Sequence, residues 1–408
     1  MLSDNAIDNL VQPIVTRQES INVYVLSTIA EKVREIGELS PSDIKRLKTL
    51  VNYGTDIRKM NEQLAIMSDL QVRDIKSMIK TVAIDSYLDA KPLYDYRHRS
   101  FIPYSRNIEL QEVVKAIGNN TANTYQNLSN SKATGFLIRD AKNPTKLKFQ
   151  NIGNTYKTVI DEAIQAVQSG AVDYRTAMRR TMKQLSDSGV RRLYWDSGYT
   201  QRLDTAVRRN ILDGVRAIQQ AMEDEIGRKV NADGKELSAH INCALDHEPF
   251  QGHQFTNEEF DKLQNNEDFQ DLLGNKFTGV ARVIGQYNCR HIARSIIIGF
   301  TKPKYTPEQL QTFIDNNHEG YTLPNGKHIT LYECTQLQRQ LETKIRYAKD
   351  EQITMQKVGD KVGAMLARSK VIKLTNEYKN FSKDCGLRTH LDRASVTNYH
   401  AIRVINMN

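Results

Sequence analysis

The sequence predicts a mainly α-helical protein with a small α+β domain, and three observations support this fold class. Apolar residues recur every three or four positions near both ends of the chain, which is typical of helices that bury one face. Residues that start helices, such as Thr306 followed by Pro307, stand before several of these stripes. Between the two ends, a phenylalanine-rich segment leads to the apolar run 292–298, which predicts a short buried strand.

These patterns divide the 408 residues into four regions. Residues 1–93 form an N-terminal helical region. Residues 94–154 form a loop-rich connector, because proline, glycine and asparagine interrupt the periodic pattern there. Residues 155–304 combine basic helices with an α+β domain that contains histidine and cysteine, and residues 305–408 form a C-terminal helical region. A chain of this length favours such a division over one core.

The N-terminal region carries the signals of several helices. Its first helix has a long apolar stripe that passes through Val25 and Ile29. Ser40 and Pro41 then restart a helix, as its N-cap and its first helical residue. A third helical pattern covers residues 57–67.

The C-terminal region has a still longer stripe, over residues 331–381. It includes Leu337 and Leu341 and predicts either one long helix or a helical hairpin that ends before Gly386. Such a stripe must be covered by the chain's own helices or by a partner protein, and the same holds for the stripe through Val25 and Ile29. The sequence leaves both possibilities open.

The composition limits the compartment and the partners. Lysine and arginine number 57 against 48 acidic residues, which gives a net charge of +9 and favours an anionic partner. Four cysteines are too few for a disulfide-stabilised secreted protein, and the first thirty residues lack the pattern of a signal peptide. We therefore expect synthesis in a reducing cytoplasm. No apolar run approaches the roughly 18 residues of a membrane span, so no membrane partner is expected.

Histidine and cysteine cluster in two short blocks. The block SAHINCALDH contains His240, Cys243 and His247, and the block YNCRH contains Cys289 and His291. Imidazole and thiolate are zinc ligands, and a structural zinc ion takes about four of them. A helical turn across the first block would place its three candidates on one face. We expect the two blocks to converge in space.

Zinc is the one cofactor that this pattern indicates, and three uses of the cluster remain open. The cluster could bind zinc through His240, His247 and Cys289, with His291 or Cys243 as the fourth ligand. It could instead form a buried hydrogen-bonded network without metal. Catalysis is the third use, either metal-dependent or through a Cys289 thiolate beside His291. It has the least support, because no acidic cluster accompanies the blocks to hold magnesium and no third group orients the imidazole.

Arginines outnumber acids in the helical segment from residue 155 to about residue 225. A basic helical face could neutralise the phosphates of nucleic acid. The alternative is an exposed face with local ion pairs. The candidates for nucleic-acid contact are Arg175, Arg179, Arg180, Arg208 and Arg209.

Five ordered blocks carry a resemblance to a known family. They read YWDSGYTQRLDTAVRRNILDG, SAHINCALDHEPFQG, IGQYNCRH, LYECTQLQRQLETKIR and FSKDCGL. In order, spacing and identity they resemble the phage minor capsid protein 2 family, and looser similarity near the N-terminus extends the resemblance over nearly the whole chain. The histidine-rich blocks are more distantly similar to Mu-type minor head proteins, which have a cysteine where this chain has His240.

The resemblance implies a structural component of a tailed-phage virion rather than an enzyme. It implies few copies, located at the capsid interior or the portal vertex and active in head assembly. The expected partners are the phage portal protein and head proteins, with contact to packaged DNA through the basic residues and no small-molecule substrate. Two other classes stay open: a metal-dependent nucleic-acid-processing enzyme that uses His247 and His291, and a plain DNA-binding module.

Overall fold

A computed structural model describes residues 4–39, 43, 52–129, 133–140, 143, 145–169, 174–194, 199–271, 274–280, 283–285 and 289–402. The fold is mainly helical with a few small antiparallel sheets, as the sequence predicts. The helices are α1 Asp4–Gly37, α2 Tyr53–Leu88, α3 Lys91–Tyr96, α4 Ile108–Leu128, α5 Ile152–Ser169, α6 Tyr174–Ser188, α7 Leu203–Val230, α8 Asn257–Gln264, α9 Pro307–Glu319, α10 Leu331–Val358 and α11 Lys361–Asp384. Within the described ranges, no helix combines the length and apolar character that a bilayer span requires.

The strands form four separate antiparallel sheets in the described part of the chain. They are β1 Thr134–Arg139, β2 Leu147–Asn151, β3 Arg191–Leu193, β4 Thr200–Arg202, β5 Gly234–Leu237, β6 Gln254–Thr256, β7 Phe269–Gln270, β8 Lys276–Phe277, β9 Ala293–Ile296, β10 Tyr321–Thr322 and β11 His328–Ile329. One sheet has the order β2-β1-β3-β4 and a second has the order β6-β5-β9, while β7 pairs with β8 and β10 with β11. The strand β9 lies within the apolar run 292–298 and confirms that prediction.

One large apolar core joins helices from distant parts of the chain. Its buried members include Ile29 on α1, Ile79 on α2, Ile160 on α5, Ile211 on α7 and Met355 on α10. A second and smaller core, rich in phenylalanine, lies inside the α+β domain. The N-terminal helix and the C-terminal hairpin are therefore parts of the same packed structure.

Both long apolar stripes are covered by the chain itself. On α1, Val25 and Ile29 are fully buried in the large core. On α10, Leu341 is buried in a cluster with Tyr378 of α11, and Leu337 packs against a neighbouring cluster. A partner protein must therefore be sought on other surfaces.

The stripe over residues 331–381 forms a helical hairpin rather than one long helix. Gly359 ends α10 with a φ of 85°, a left-handed conformation that glycine adopts without strain. Asp360 then starts α11, because its side chain accepts a hydrogen bond from the backbone of Gly363 at 2.9 Å. Gly386 lies two residues beyond the end of α11, as predicted.

The prediction of loops between residues 94 and 154 misses a long helix. The 21 residues of α4 bury Leu110, Val114 and Tyr125 at helical spacing, and the side chain of Asn107 caps the helix by accepting from the backbone of Leu110 at 3.1 Å. Polar residues on the outer face hid this periodicity. The predicted helix start at Ser40 and Pro41 lies outside the described residues.

Helix α7 crosses the middle of the fold and carries the α+β domain at its C-terminal end. Gly214 allows α4 to approach α7 closely, because a Cβ atom at that position would lie 2.5 Å from the side chain of Thr121. Asn231 ends α7 in the left-handed conformation, with a φ of 49°, and β5 begins three residues later. The predicted helix start at Thr306 is confirmed, and Thr256 starts α8 in the same way: each residue forms a capping box.

A buried charge network connects α1, α7 and α10. Its members are Glu19 on α1, Arg202 and Asp204 at the start of α7, and Arg346 and Asp350 on α10. Arg202 lies 3.1 Å from Asp204 and 3.4 Å from Asp350, measured between side-chain nitrogen and oxygen atoms. Arg346 lies 3.1 Å from Glu19 and 2.8 Å from Asp204. These five residues hold segments that are distant in sequence against one another.

Candidate metal centre

The candidate centre is built on the face of α7 that holds the α+β sheet. Gln220 of α7 both donates to and accepts from the backbone of Ala293 in β9, at 3.2 Å in each case. Glu223, one turn further along, accepts from the backbone of Ser295 at 2.9 Å. Because side chains of α7 bind the backbone of β9, this helix helps to position His291, which lies two residues before the strand.

The first block adopts successive turns between β5 and β6 instead of the predicted helical turn. The backbone of His247 donates to Ala244 at 2.9 Å, and that of Phe250 donates to His247 at 3.2 Å. The turns still bring the candidate ligands together.

All five candidate ligands converge, as predicted. The Sγ atom of Cys289 lies 3.4 Å from Nδ1 of His247 and 3.4 Å from Nδ1 of His291. The Sγ atom of Cys243 lies 3.6 Å from Nε2 of His291. The ring of His240 stacks on that of His291, with 4.6 Å between the ring centroids.

The five residues fall into two groups that share His291. One group is His247, Cys289 and His291, and the other is His240, Cys243 and His291; within each, the ligand atoms lie within 4.8 Å of one another. Tetrahedral zinc, with bonds of about 2.0–2.3 Å, would separate neighbouring ligand atoms by roughly 3.6 Å. The sulfur–nitrogen distances in both groups match this separation. Because the two groups use opposite nitrogens of His291, one ion cannot take all five ligands.

The environment of Cys289 favours its thiolate. Burial by itself would raise the pKa of this thiol, but a hydrogen bond with His247 and backbone hydrogen bonds of Gly285 and His291 outweigh burial and lower the pKa. The carboxylate of Asp246 lies 3.8 Å from Nε2 of His247, which leaves Nδ1 to face the sulfur. A lowered thiol pKa suits either metal ligation or a hydrogen-bonded network.

Asn317 supports the first block from outside, and the sequence analysis did not identify it. It is fully buried on α9, donates to the carbonyl of Cys243 at 3.0 Å, and accepts from the backbone of Tyr332 at 2.9 Å. It also donates to Glu248. One side chain thus joins the centre to the start of α10. No local pattern distinguishes this asparagine from its exposed neighbour Asn316.

The centre opens onto a cavity of about 670 Å³ between the α+β domain, α1, α7 and α10. His240, His247, Cys289 and His291 line one wall. The remaining walls carry many arginines. Four of the five ligand candidates therefore border a space large enough for a small molecule.

The five candidate arginines for nucleic-acid contact have different surroundings. Arg179 on α6 donates to Asp360 at 2.9 Å, and Arg208 on α7 donates to Asp8 at 2.6 Å. Arg209 donates to the hydroxyl of Tyr194 at 3.3 Å. Arg180 is exposed, and the side chain of Arg175 lies outside the described part of the chain. Carboxylates of the protein itself thus hold two of the five, and nucleic-acid contact by the set stays a prediction.

The fold and the centre define a helical protein with a small histidine- and cysteine-bearing domain mounted on its central helix. The chain belongs to the phage minor capsid protein 2 family, whose sequence profile matches residues 2–383. No curated protein and no solved structure matches the chain. Its family membership assigns it a structural role in the phage capsid.

The support by Asn317 can be tested with a neighbouring residue as the control. Replacing Asn317 with alanine leaves the carbonyl of Cys243 and the carboxylate of Glu248 without this donor, so we expect a loss of about 1–3 kcal/mol in the free energy of unfolding. Asn316→Ala, an exposed substitution on the same helix, should change it by less than about 0.5 kcal/mol. Denaturant unfolding measures both, and equal values for the two variants would contradict the assigned role.

Proposed function

We propose that this structural protein acts near the portal vertex during head assembly, binds the portal protein and contacts packaged DNA. One observation carries the proposal: the outer face of α11 is exposed, partly apolar and basic. Its exposed apolar members are Val362 at 39%, Leu366 at 59% and Ile372 at 40%. Its exposed lysines are Lys361, Lys373, Lys379 and Lys383.

The outer face of α11 suits a protein partner better than the long stripes do. The other side of α11 already packs on α10, so this helix can offer its outer side without unfolding. Among the described residues, none of the four lysines has an ion-pair partner. Exposed apolar side chains with basic neighbours are typical of interfaces with an acidic or phosphate-bearing surface.

The portal is the proposed partner because of copy number. The repeated shell of a phage head offers many equivalent binding positions, whereas a minor component occupies few of them. A component that binds at the single portal vertex is limited in number by that vertex. The four lysines on the same face would meet the backbone of DNA that passes through it.

Charged substitutions on this face test the docking. We expect Leu366→Glu with Ile372→Glu to reduce incorporation into heads roughly tenfold or more, since a buried unpaired carboxylate is costly at an interface. Ile66→Glu with Leu70→Glu is the matched control, because these α2 residues are equally exposed, at 55% and 62%. Quantitative immunoblots of purified heads measure the incorporation of both variants. Equal incorporation of the α11 and α2 variants would contradict portal docking by the outer face of α11.

The purified protein tests contact with DNA. Replacing the four lysines with glutamine should lower retention of DNA by the purified protein and flatten its salt dependence. An unchanged salt slope in the lysine variant would contradict DNA contact there.

We further infer that the centre binds one zinc ion with His247, Cys289 and His291 as three ligands and the fourth coordination position facing the cavity. The sulfur–nitrogen distances of 3.4 Å and the lowered pKa of Cys289 support this assignment. Such an ion would tie the turns between β5 and β6 to the segment before β9. The alternative function, metal-dependent processing of nucleic acid, draws on one observation, which is that these ligands border the cavity.

Metal analysis decides between these uses. We expect about one zinc per chain in protein purified without added chelator, and loss of that zinc in Cys289→Ser, because this substitution removes the thiolate ligand. His328→Gln, at an exposed histidine, should retain it. Protein without metal in either form would favour the hydrogen-bonded network. Divalent-metal-dependent DNA cleavage that His247→Ala abolishes would favour the enzyme.

A further inference from the structure

The cavity beside the candidate metal centre contains an unusual concentration of positive charge. Four arginines from different elements line it together, and we call them the arginine cluster. They are Arg208 on α7, Arg290 in the segment before β9, Arg339 on α10 and Arg393 in the short 3₁₀ helix Leu391–Ala394. No pair of them is close in sequence, so only the tertiary fold brings them together.

Two members of the cluster share one carboxylate of the chain. Asp8 on α1 accepts from Arg208 at 2.6 Å and from Arg393 at 2.5 Å, so one carboxylate serves two arginines. The arginine cluster acts on Asp8 strongly enough to lower its pKa despite burial, which by itself would raise it. Glu342 also lines the cavity, but burial raises its pKa, and it accepts a hydrogen bond from the hydroxyl of Tyr378 at 3.2 Å.

Arg339 is the member that most needs a further partner. Among the described residues, no carboxylate lies within ion-pair distance of its guanidinium and no acceptor receives a hydrogen bond from it. Burial and the charges of its arginine neighbours lower its pKa to about 9.

A phosphate monoester suits the guanidinium of Arg339 and its arginine neighbours. It carries close to two negative charges near neutral pH, and its oxygens match the paired donors of a guanidinium. The cavity volume of about 670 Å³ lies within the range of small-molecule sites. Leu212, Val215 and Ile292 provide an apolar wall for the organic part of such a ligand.

We propose that this cavity binds a small organic phosphate monoester, of the size of a mononucleotide, with the phosphate held by Arg339 and the other arginines of the cluster. The ligand would supply the anionic partner that Arg339 lacks among the described residues. It would also bridge α1, α7, α10 and the segment before β9. The proposal does not depend on docking by α11 or on zinc, since the arginine cluster alone provides the recognition.

Binding to the full-length chain tests the proposal. Calorimetric titration with inorganic phosphate and with deoxyadenosine monophosphate should show saturable binding, whereas deoxyadenosine should not bind. Arg339→Gln should weaken phosphate binding at least about tenfold, because a charge-assisted hydrogen bond is lost. Lys357→Gln is the matched control, since it removes a charge from α10 where Lys357 pairs with Glu31 outside the cavity. The free Arg339→Gln protein should be at least as stable as the wild type, because repulsion within the cluster falls.

Several results would overturn the proposal. The first is that neither inorganic phosphate nor deoxyadenosine monophosphate binds. The second is that Arg339→Gln and the wild type bind phosphate equally. The third is that the protein binds only a single-stranded oligonucleotide. Loss of binding after treatment with a chelator would also overturn it, because the metal rather than the arginine cluster would then hold the phosphate. If Arg339→Gln fails to fold, Arg339→Lys keeps the charge but not the planar pair of donors, and it should still bind phosphate more weakly than the wild type.

Discussion

The buried charge network of Glu19, Arg202, Asp204, Arg346 and Asp350 is the constraint on which the rest of the structure depends. Burial and the nearby Asp204 raise the pKa of Glu19, and burial raises that of Asp350 to about 6. Burial would also raise the pKa of Asp204, but the two guanidiniums hold it low. Two guanidiniums therefore face three carboxyl groups in this network. Charges buried to this degree are tolerated only when each has its partners, so the network fixes how α1, α7 and α10 meet.

The same three helices define the walls of the cavity, which links the network to the candidate site. Helix α7 begins at the network, carries Arg208 toward the cavity and holds β9 through Gln220 and Glu223. A shift of α1 or α10 would therefore separate Asp8 or Arg339 from the histidine and cysteine side chains. The sequence predicts no small-molecule substrate, and the proposed phosphate is a bound ligand rather than a reactant.

The sequence was sufficient to predict the structure where a single signal determines it. The stripe through Val25 and Ile29 follows the helical period, and the convergence of Cys243 and His291 follows from the scarcity of their residue types. It was insufficient where the outcome depends on packing between distant segments. A single glycine, Gly359, decides between one helix and a hairpin. The candidate ligands group around the two nitrogens of His291 only because of the turns between β5 and β6, which the sequence does not predict. The arginine cluster joins residues from positions 208 to 393, and no pattern within the sequence connects them.

Hydrogen exchange on Arg202→Ala tests the central claim most directly. Removing this guanidinium leaves buried carboxylates without compensation, at a cost of about 3–5 kcal/mol, so amides of α1, α7 and α10 should lose protection together. Arg180→Ala, at an exposed position on α6, should leave the exchange of all three helices unchanged. If Arg202→Ala lowers protection only at the start of α7, where Arg202 itself lies, the network does not hold the three helices together and the account is wrong.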